Sequence, residues 1–267
     1  PTVALGGTGW VAADLLGLDE LAGPFMMAIV VFAIAVVVVD RQLRPDPLLL
    51  SQQLDSAGAK QRNKPSLAES FGKLVTHRLA AIAVFAMAVG QGVMVAVMTV
   101  TPLHMDEGAH ETRVIGLVIS LHIVGMYFFS PLVGWLVDRL PVVLMVGAAG
   151  LILFLGAEMA SHTDPEDSLG VFVGLLLVGI GWSFAMISGS ALLTSAFSAS
   201  ERASVQGAAD FTMVASGATG GLLSGVIVEA SSYHALSHWA AVLALSLVAA
   251  ALYPVFIKTK PRKTAAA

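Results

Sequence analysis

Apolar residues form seven long runs along the chain, separated by polar segments that are mostly short. An α-helix needs about 20 such residues to cross a bilayer core of about 30 Å. We therefore predict an all-α, polytopic transmembrane helix bundle with about seven spans. The predicted spans are Ala22–Val39, Leu79–Val100, Val114–Val137, Val142–Ala160, Leu169–Phe197, Gly207–Val228 and Trp239–Ile257.

The one long polar segment is residues 40–78, between the first two spans. Its centre, residues 51–66, is rich in polar and turn-forming residues, which is typical of a flexible linker. Residues 66–78 are expected to form a short surface helix, because Ser66 and Glu69 have the spacing of a capping box. Residues 1–17 are apolar and Gly-rich and are interpreted as the end of an earlier helix, so we expect the chain to be a fragment of a longer protein.

The composition agrees with a membrane protein. Hydrophobic residues make up 57% of the chain and charged residues 12%, about half the charged share of a soluble domain. The net charge is only −4, so no nucleic-acid partner is expected. The chain contains no cysteine, which excludes disulfides and thiolate metal ligands.

Basic residues give the predicted bundle an orientation. If the spans alternate, 13 of the 14 Lys and Arg residues lie on one side of the membrane, and Arg113 is the exception. The positive-inside rule makes this side cytoplasmic. We therefore expect a multi-pass protein of the cell (inner or plasma) membrane with a cytoplasmic C-terminus. The basic side is formed by residues 40–78, 138–141, 198–206 and the C-terminal tail.

Four side chains within the predicted spans are candidates for a substrate or proton pathway, because polar groups at membrane depth usually face a cavity or a partner. Gln91 could bind substrate or bridge two helices. Trp182 could stack on an apolar or cationic substrate, or only pack. His122 could take up and release a proton, or stay neutral between helices. Asp210 could carry a proton or cation, or be an acid of the first helical turn favoured by the helix dipole.

Small residues recur in the sixth span, where Gly217, Gly221 and Gly225 are four positions apart. This spacing lets two helix backbones approach closely, and we interpret it as packing within the bundle. His104 and His110 match no strong zinc pattern, so no metal site is expected.

The chain has no recognisable catalytic motif. Residues 6–9 (GGTG) lack the Lys-Ser/Thr continuation of a nucleotide-binding loop, and neither a G-x-S-x-G nor an H-E-x-x-H motif occurs. We therefore expect neither an enzyme nor a bound cofactor.

The layout of a long linker, six spans with short loops and a basic tail resembles the second half of a major facilitator superfamily transporter. Residues 134–139 (GWLVDR) look like the family's G-x-L-x-D-R turn between its helices 8 and 9. The usual Gly-Arg-Arg continuation is replaced here by residues 141–143 (PVV). Three further segments look like bacterial, drug-efflux-like members: residues 21–25 (LAGPF), 43–47 (LRPDP) and 201–211 (ERASVQGAADF).

The resemblance implies that about seven of twelve family helices are present. Residues 1–39 would end the N-terminal half with the end of helix 5 and helix 6, and residues 40–78 would be the cytoplasmic linker. Residues 79–257 would be the C-terminal six-helix domain, followed by the basic cytoplasmic tail 258–267. The function implied is secondary active transport by alternating access. The transporter would be a proton-driven antiporter that exports a small hydrophobic or amphipathic molecule. The partners would be the lipid bilayer, the substrate, protons and the missing N-terminal half.

The turn offers a candidate gate in Gly134, Asp138 and Arg139. Gly134 would allow two helices to approach closely. Asp138 would either cap the next helix or accept a hydrogen bond from Arg139. A charge pair between Asp138 and Arg139 could form in one conformation of a transporter and break in the other. The alternative is a plain positive-inside anchor. For the whole chain, the alternatives to transport are a non-transporting receptor or scaffold and an inactive half-transporter. A retinal protein is excluded because no predicted span contains a lysine.

Overall fold

The computed structural model describes residues 17, 23–45, 50 and 66–256. Its ordered elements are all helices, which confirms the all-α prediction. In chain order they are α1 (Gly23–Gln42), α2 (Leu67–Thr76), α3 (Arg78–Glu107), α4 (Thr112–Tyr127), α5 (Ser130–Val137), α6 (Val142–Ser161), α7 (Ser168–Ala196), α8 (Ala199–Ala230) and α9 (Tyr233–Phe256).

The chain divides into two compact units, Pro1–Asn63 and Lys64–Ala267. Helix α1 belongs to the first unit and covers the first predicted span from residue 23 onward. The proposed helix end before residue 17, nearly all of the linker centre and the basic tail lie outside the described residues.

Six helical segments of the second unit are long and apolar enough to cross a membrane, and they match the six spans predicted from residue 79 onward. Two helices extend well beyond the predicted spans. Helix α8 begins at Ala199 rather than Gly207, and α3 continues past Val100 to Glu107. Both extensions contain polar residues that lower the local hydropathy, so hydropathy marks the apolar run rather than the limits of the helix.

The third predicted span, Val114–Val137, is two helices rather than one. Helix α4 ends at Tyr127 and α5 begins at Ser130, with Pro131 in the first turn of α5. Proline has no backbone N–H, and its ring clashes with the carbonyl four residues before it, so a continuous α-helix is interrupted at this point. The hydroxyl of Ser130 donates to the carbonyl of Met126 at 2.9 Å, which satisfies one acceptor at the break.

Helix α2 confirms the predicted short helix and its capping box. The Ser66 hydroxyl accepts from the Glu69 N–H at 3.2 Å, and the Glu69 carboxylate accepts from the Ser66 N–H at 2.9 Å. The Lys73 ammonium pairs with the Glu201 carboxylate at 2.6 Å. This ion pair ties α2 to the first turn of α8.

Helices α3 and α7 form the centre of the second unit. Helix α7 packs on α3, α4 and α6, while α8 packs on α3 and α9 packs on α6 and α3. Three neighbours leave little room around α7. A Cβ added at Gly181 would lie 2.8 Å from the backbone N of Leu153, and one at Gly174 would lie 3.0 Å from the carbonyl of Gly156. The glycines therefore let the backbone of α7 approach that of α6 closely.

Candidate functional site

Gln91 and Trp182, both singled out in the sequence, meet in the structure. Gln91 lies near the middle of α3 and Trp182 near the middle of α7. The indole Nε1–H of Trp182 donates to the Gln91 side-chain oxygen at 2.6 Å. Both side chains are partly buried. The bond joins the two central helices at the depth where a transport pathway was expected.

The break between α4 and α5 brings a third side chain to this pair. Tyr127, the last residue of α4, packs edge-on against Trp182, with ring centroids 5.9 Å apart and an interplanar angle of 70°. Beside it, the hydroxyls of Ser130 and Ser183 lie 3.2 Å apart, which ties the break to α7. Tyr127 is 61% exposed within the described chain, so its ring is open to a neighbour.

On the other side of Gln91 lies the backbone of α8. A Cβ added at Gly217 would lie 2.9 Å from Cγ and 3.1 Å from Nε2 of Gln91. The hydroxyl of Ser216 donates to the carbonyl of Ala88 at 2.7 Å, which fixes α8 against α3 at the same level. Tyr127, Trp182, Gln91 and Gly217 thus follow one another across α4, α7, α3 and α8. We name these four residues the mid-span row.

His122 lies apart from the row, in the contact between α4 and α7. It is fully buried, and its Nδ1 lies 2.8 Å from the carbonyl oxygen of Leu175. Its Nε2 has no hydrogen-bond partner among the described residues. This geometry favours the helix-bridging interpretation, and a role in proton transfer stays a prediction.

Asp210 lies deeper in its helix than the sequence indicated. Because α8 begins at Ala199, Asp210 is about three turns from the start. The helix-dipole effect is confined to the first turn, so the interpretation as a first-turn acid is wrong. The carboxylate of Asp210 accepts from the Gln206 amide at 2.8 Å and is partly exposed. It is thus a polar group within a candidate span.

The predicted gating turn does not form its expected contacts. No described atom lies within 4 Å of a Cβ added at Gly134, so this glycine is not at a close helix contact within the described chain. The α6 N-cap is Pro141, without a side-chain cap. The guanidinium of Arg139 lies over the Trp135 ring, 4.2 Å from its centroid, rather than against Asp138. A gating role for the turn stays a prediction.

The glycines of α8 behave differently from one another. Gly217 and Gly221 lie against side chains of α3, whereas no described atom lies within 4 Å of a Cβ added at Gly225. The tightest backbone contact was missed: a Cβ at Gly220 would lie 2.7 Å from the carbonyl oxygen of Gly92. Gly217 and Gly221, four residues apart, therefore pack on α3 as predicted, Gly220 packs there as well, and Gly225 makes no such contact with a described residue.

Metal-ligating side chains do not converge within the described part of the chain: no group of three or more His, Cys, Asp or Glu residues there could hold an ion. His104 is buried rather than exposed. Its ring stacks on that of Tyr233, with centroids 4.0 Å apart, and its Nε2 lies 3.0 Å from the Thr163 carbonyl oxygen. These contacts join the ends of α3 and α6 to the start of α9.

Comparison with known proteins assigns the family. The Major Facilitator Superfamily model matches residues 80–267. The uncharacterized MFS-type transporter YdeG of Bacillus subtilis (strain 168) is 40% identical over 235 residues, which cover 87% of this chain and 54% of that protein. The uncharacterized MFS-type transporter YddS of the same strain is 40% identical over 238 residues, with 88% and 54% covered. The riboflavin transporter RfnT of Brucella anthropi is 30% identical over 174 residues, with 65% and 42% covered.

The chain spans about half the length of the curated relatives it matches. The family match covers the six apolar helical segments of the second unit. The chain is therefore a multi-pass membrane protein that belongs to the Major Facilitator Superfamily.

Proposed function

We propose that the chain is part of a secondary transporter, rather than an enzyme, and that it moves a small hydrophobic or amphipathic molecule across the cell membrane. The mid-span row carries this proposal. Polar groups are costly at membrane depth unless they have a partner or face a water-filled cavity. Gln91 and Trp182 are partners, and both remain partly exposed. The row thus supplies a polar and aromatic surface for a cargo midway through the spans.

The opposite wall of the cavity would come from an N-terminal half. The coverage of about half of each relative supports this arrangement. In transporters built from two repeated halves, the substrate site lies near the bilayer midplane between them, and the halves rock around it. The four helices that carry the row would face that second half, and the chain would not transport without it.

The finer proposal is export by proton antiport, with a cytoplasmic C-terminus. The concentration of basic residues on one predicted side supports this orientation. Among the two candidate proton carriers, Asp210 is partly exposed and His122 is fully buried. Asp210 is therefore the better placed to exchange a proton with an aqueous cavity.

The experiment reconstitutes the chain with its N-terminal half in proteoliposomes and imposes a pH gradient. Riboflavin, for which one relative is named, is tested beside ethidium and tetraphenylphosphonium. We expect gradient-driven movement of at least one compound. Trp182→Leu should lower its rate on the order of tenfold, because an aromatic contact worth about 1 kcal/mol or more is lost. The matched control is Trp239→Leu on α9, whose side chain is 65% exposed and lies outside the row.

Three outcomes would contradict parts of the proposal. Transport that ignores the pH gradient removes the proton coupling. Equal losses in the two tryptophan variants remove the row from the pathway. Binding of a compound without movement of any compound favours a receptor or scaffold over a transporter.

A further inference from the structure

The side-chain amide of Gln91 has one possible orientation. An indole N–H is a donor only, so the amide atom that faces Trp182 must be the acceptor oxygen. The distance of 2.6 Å between Nε1 and Oε1 is at the short end for an N–H···O contact, so the two atoms meet directly. Because the oxygen is committed to Trp182, the amide NH₂ group points away from the indole.

This NH₂ group lacks an acceptor. No hydrogen bond from Nε2 of Gln91 occurs within the described residues, and the atom is not among their buried polar atoms without a partner. It is therefore accessible. Gly217 keeps it so, because a Cβ there would lie 3.1 Å from Nε2. In the free protein its partner would be cavity water, because an unpaired donor at membrane depth is costly. A ligand that displaces this water must bring an acceptor of its own.

An aromatic corner adjoins the other end of this amide, where the indole of Trp182 binds the amide oxygen. The ring of Trp182 meets that of Tyr127 edge-on, and Tyr127 is 61% exposed. Aromatic rings offer a flat, apolar surface on which another ring can stack. None of the four residues of the mid-span row carries a formal charge. The row therefore combines a stacking surface with a hydrogen-bond donor and offers no counter-charge to an ionic group.

We propose that the mid-span row binds a flat aromatic molecule whose ring edge carries a carbonyl. The ring stacks in the corner of Trp182 and Tyr127, and the carbonyl accepts from Nε2 of Gln91. This assignment rests on the proposed function, because it names the substrate class of the same site.

The first test compares two uncharged ligands of the same ring size. Equilibrium binding of 9,10-anthraquinone and anthracene is measured on the chain together with its N-terminal half, purified in detergent. Both can stack, but only the quinone has ring carbonyls. We expect the quinone to bind about tenfold or more tightly, since one ligand satisfies the amide donor and the other leaves it unpaired.

The second test changes only the donor. Gln91→Glu retains the oxygen that accepts from Trp182 and replaces the NH₂ group by a second oxygen. We expect the preference for the quinone to disappear at pH 8 and to return in part at pH 5, where the introduced carboxyl group can carry a proton and donate. Gly217→Ala should also weaken quinone binding, because the added methyl group displaces the amide. Gly225→Ala, on the same helix with open space around it, should bind as the unaltered protein does.

The outcomes separate this inference from the proposed function. Equal affinity for the two ligands, no affinity for the quinone, or a preference that survives Gln91→Glu at pH 8 would each overturn the ligand class. Gradient-driven transport of ethidium or tetraphenylphosphonium, neither of which has a carbonyl, alongside any of these results would leave the transporter proposal intact. A quinone preference that depends on Gln91 supports the ligand class, even if no compound moves and the transporter proposal fails.

Discussion

His122 illustrates how one buried polar residue can serve either structure or proton transfer. Its Nδ1 lies 2.8 Å from the Leu175 carbonyl oxygen, and it is fully buried between α4 and α7. Close packing surrounds it, since Gly179 of α7 leaves room for the backbone carbonyl of His122 itself. A proton would need a route through this contact to reach either side of the membrane.

The substitution His122→Asn separates the two roles. An asparagine amide can donate to the Leu175 carbonyl from about the position of Nδ1, but it does not titrate. We expect gradient-driven transport and its pH profile to be unchanged in proteoliposomes. We also expect the melting temperature in detergent to fall less than in His122→Leu, which lacks the donor and leaves that hydrogen bond unmade at a cost of about 1 kcal/mol. Loss of gradient-driven transport in His122→Asn, with substrate exchange retained, would make His122 a proton carrier.

At this scale the sequence selected Gln91 and Trp182 as candidates but did not predict that they meet. Gln91 and Trp182 stood out because they are polar or amphipathic within apolar runs. Their hydrogen bond joins positions 91 residues apart and depends on the rotation of both helices, which hydropathy does not encode. Tyr127 was missed, although a tyrosine four residues before Pro131 was a usable signal of a side chain placed at a helix break.

At the scale of helix pairs, the contact between α3 and α8 depends on glycine at particular positions. A Cβ added at Gly220 would lie 2.7 Å from the backbone oxygen of Gly92, and the helix backbone cannot move aside as a flexible side chain can. Gly225, five residues later on α8, has no such neighbour. The two positions therefore separate the packing role of glycine from its cost to helix formation.

We expect Gly220→Ala to destabilise the protein by about 1–3 kcal/mol, the usual cost of overpacking a tight contact. Gly225→Ala should be neutral or stabilising by up to about 1 kcal/mol, because alanine is the better helix former. The measurement is thermal unfolding of the two variants in the same detergent. A lower melting temperature for Gly225→Ala than for Gly220→Ala would show that α8 packs differently in the whole protein.

Helix existence was predictable here, and helix limits were less so. An uninterrupted apolar run of about 20 residues has few alternatives to a membrane-spanning helix, so six predicted spans fall on helices of the second unit. Helices α3 and α8 each continue for about two helical turns beyond the apolar run, and hydropathy does not show where such a continuation ends. The division of the third span depends on one proline within a run that is mostly apolar.

At the scale of the whole molecule, the absence of cysteine makes the predicted orientation directly testable. Two exposed positions lie on opposite predicted sides: Glu166 between α6 and α7, and Ser200 at the start of α8. In intact cells, a membrane-impermeant maleimide should label Glu166→Cys. It should label Ser200→Cys only after the cells are made permeable, because the positive-inside rule places that end in the cytoplasm.

The parent protein without either substitution controls for cysteines in the N-terminal half. The reverse labelling pattern would invert the orientation and with it the proposed direction of export. Only α7 lies between the two positions. Labelling of both positions in intact cells would place them on the same side of the membrane and would show that α7 does not cross it.

The uncharged row has an electrical consequence. If the proposed row holds a neutral cargo, that cargo would cross the membrane without moving charge through the field, whereas each elementary charge is worth about 2.3 kcal/mol per 100 mV. Under the proposed proton coupling, the current per cargo molecule would then count the coupling protons. Binding of the cargo to the row would not respond to membrane potential.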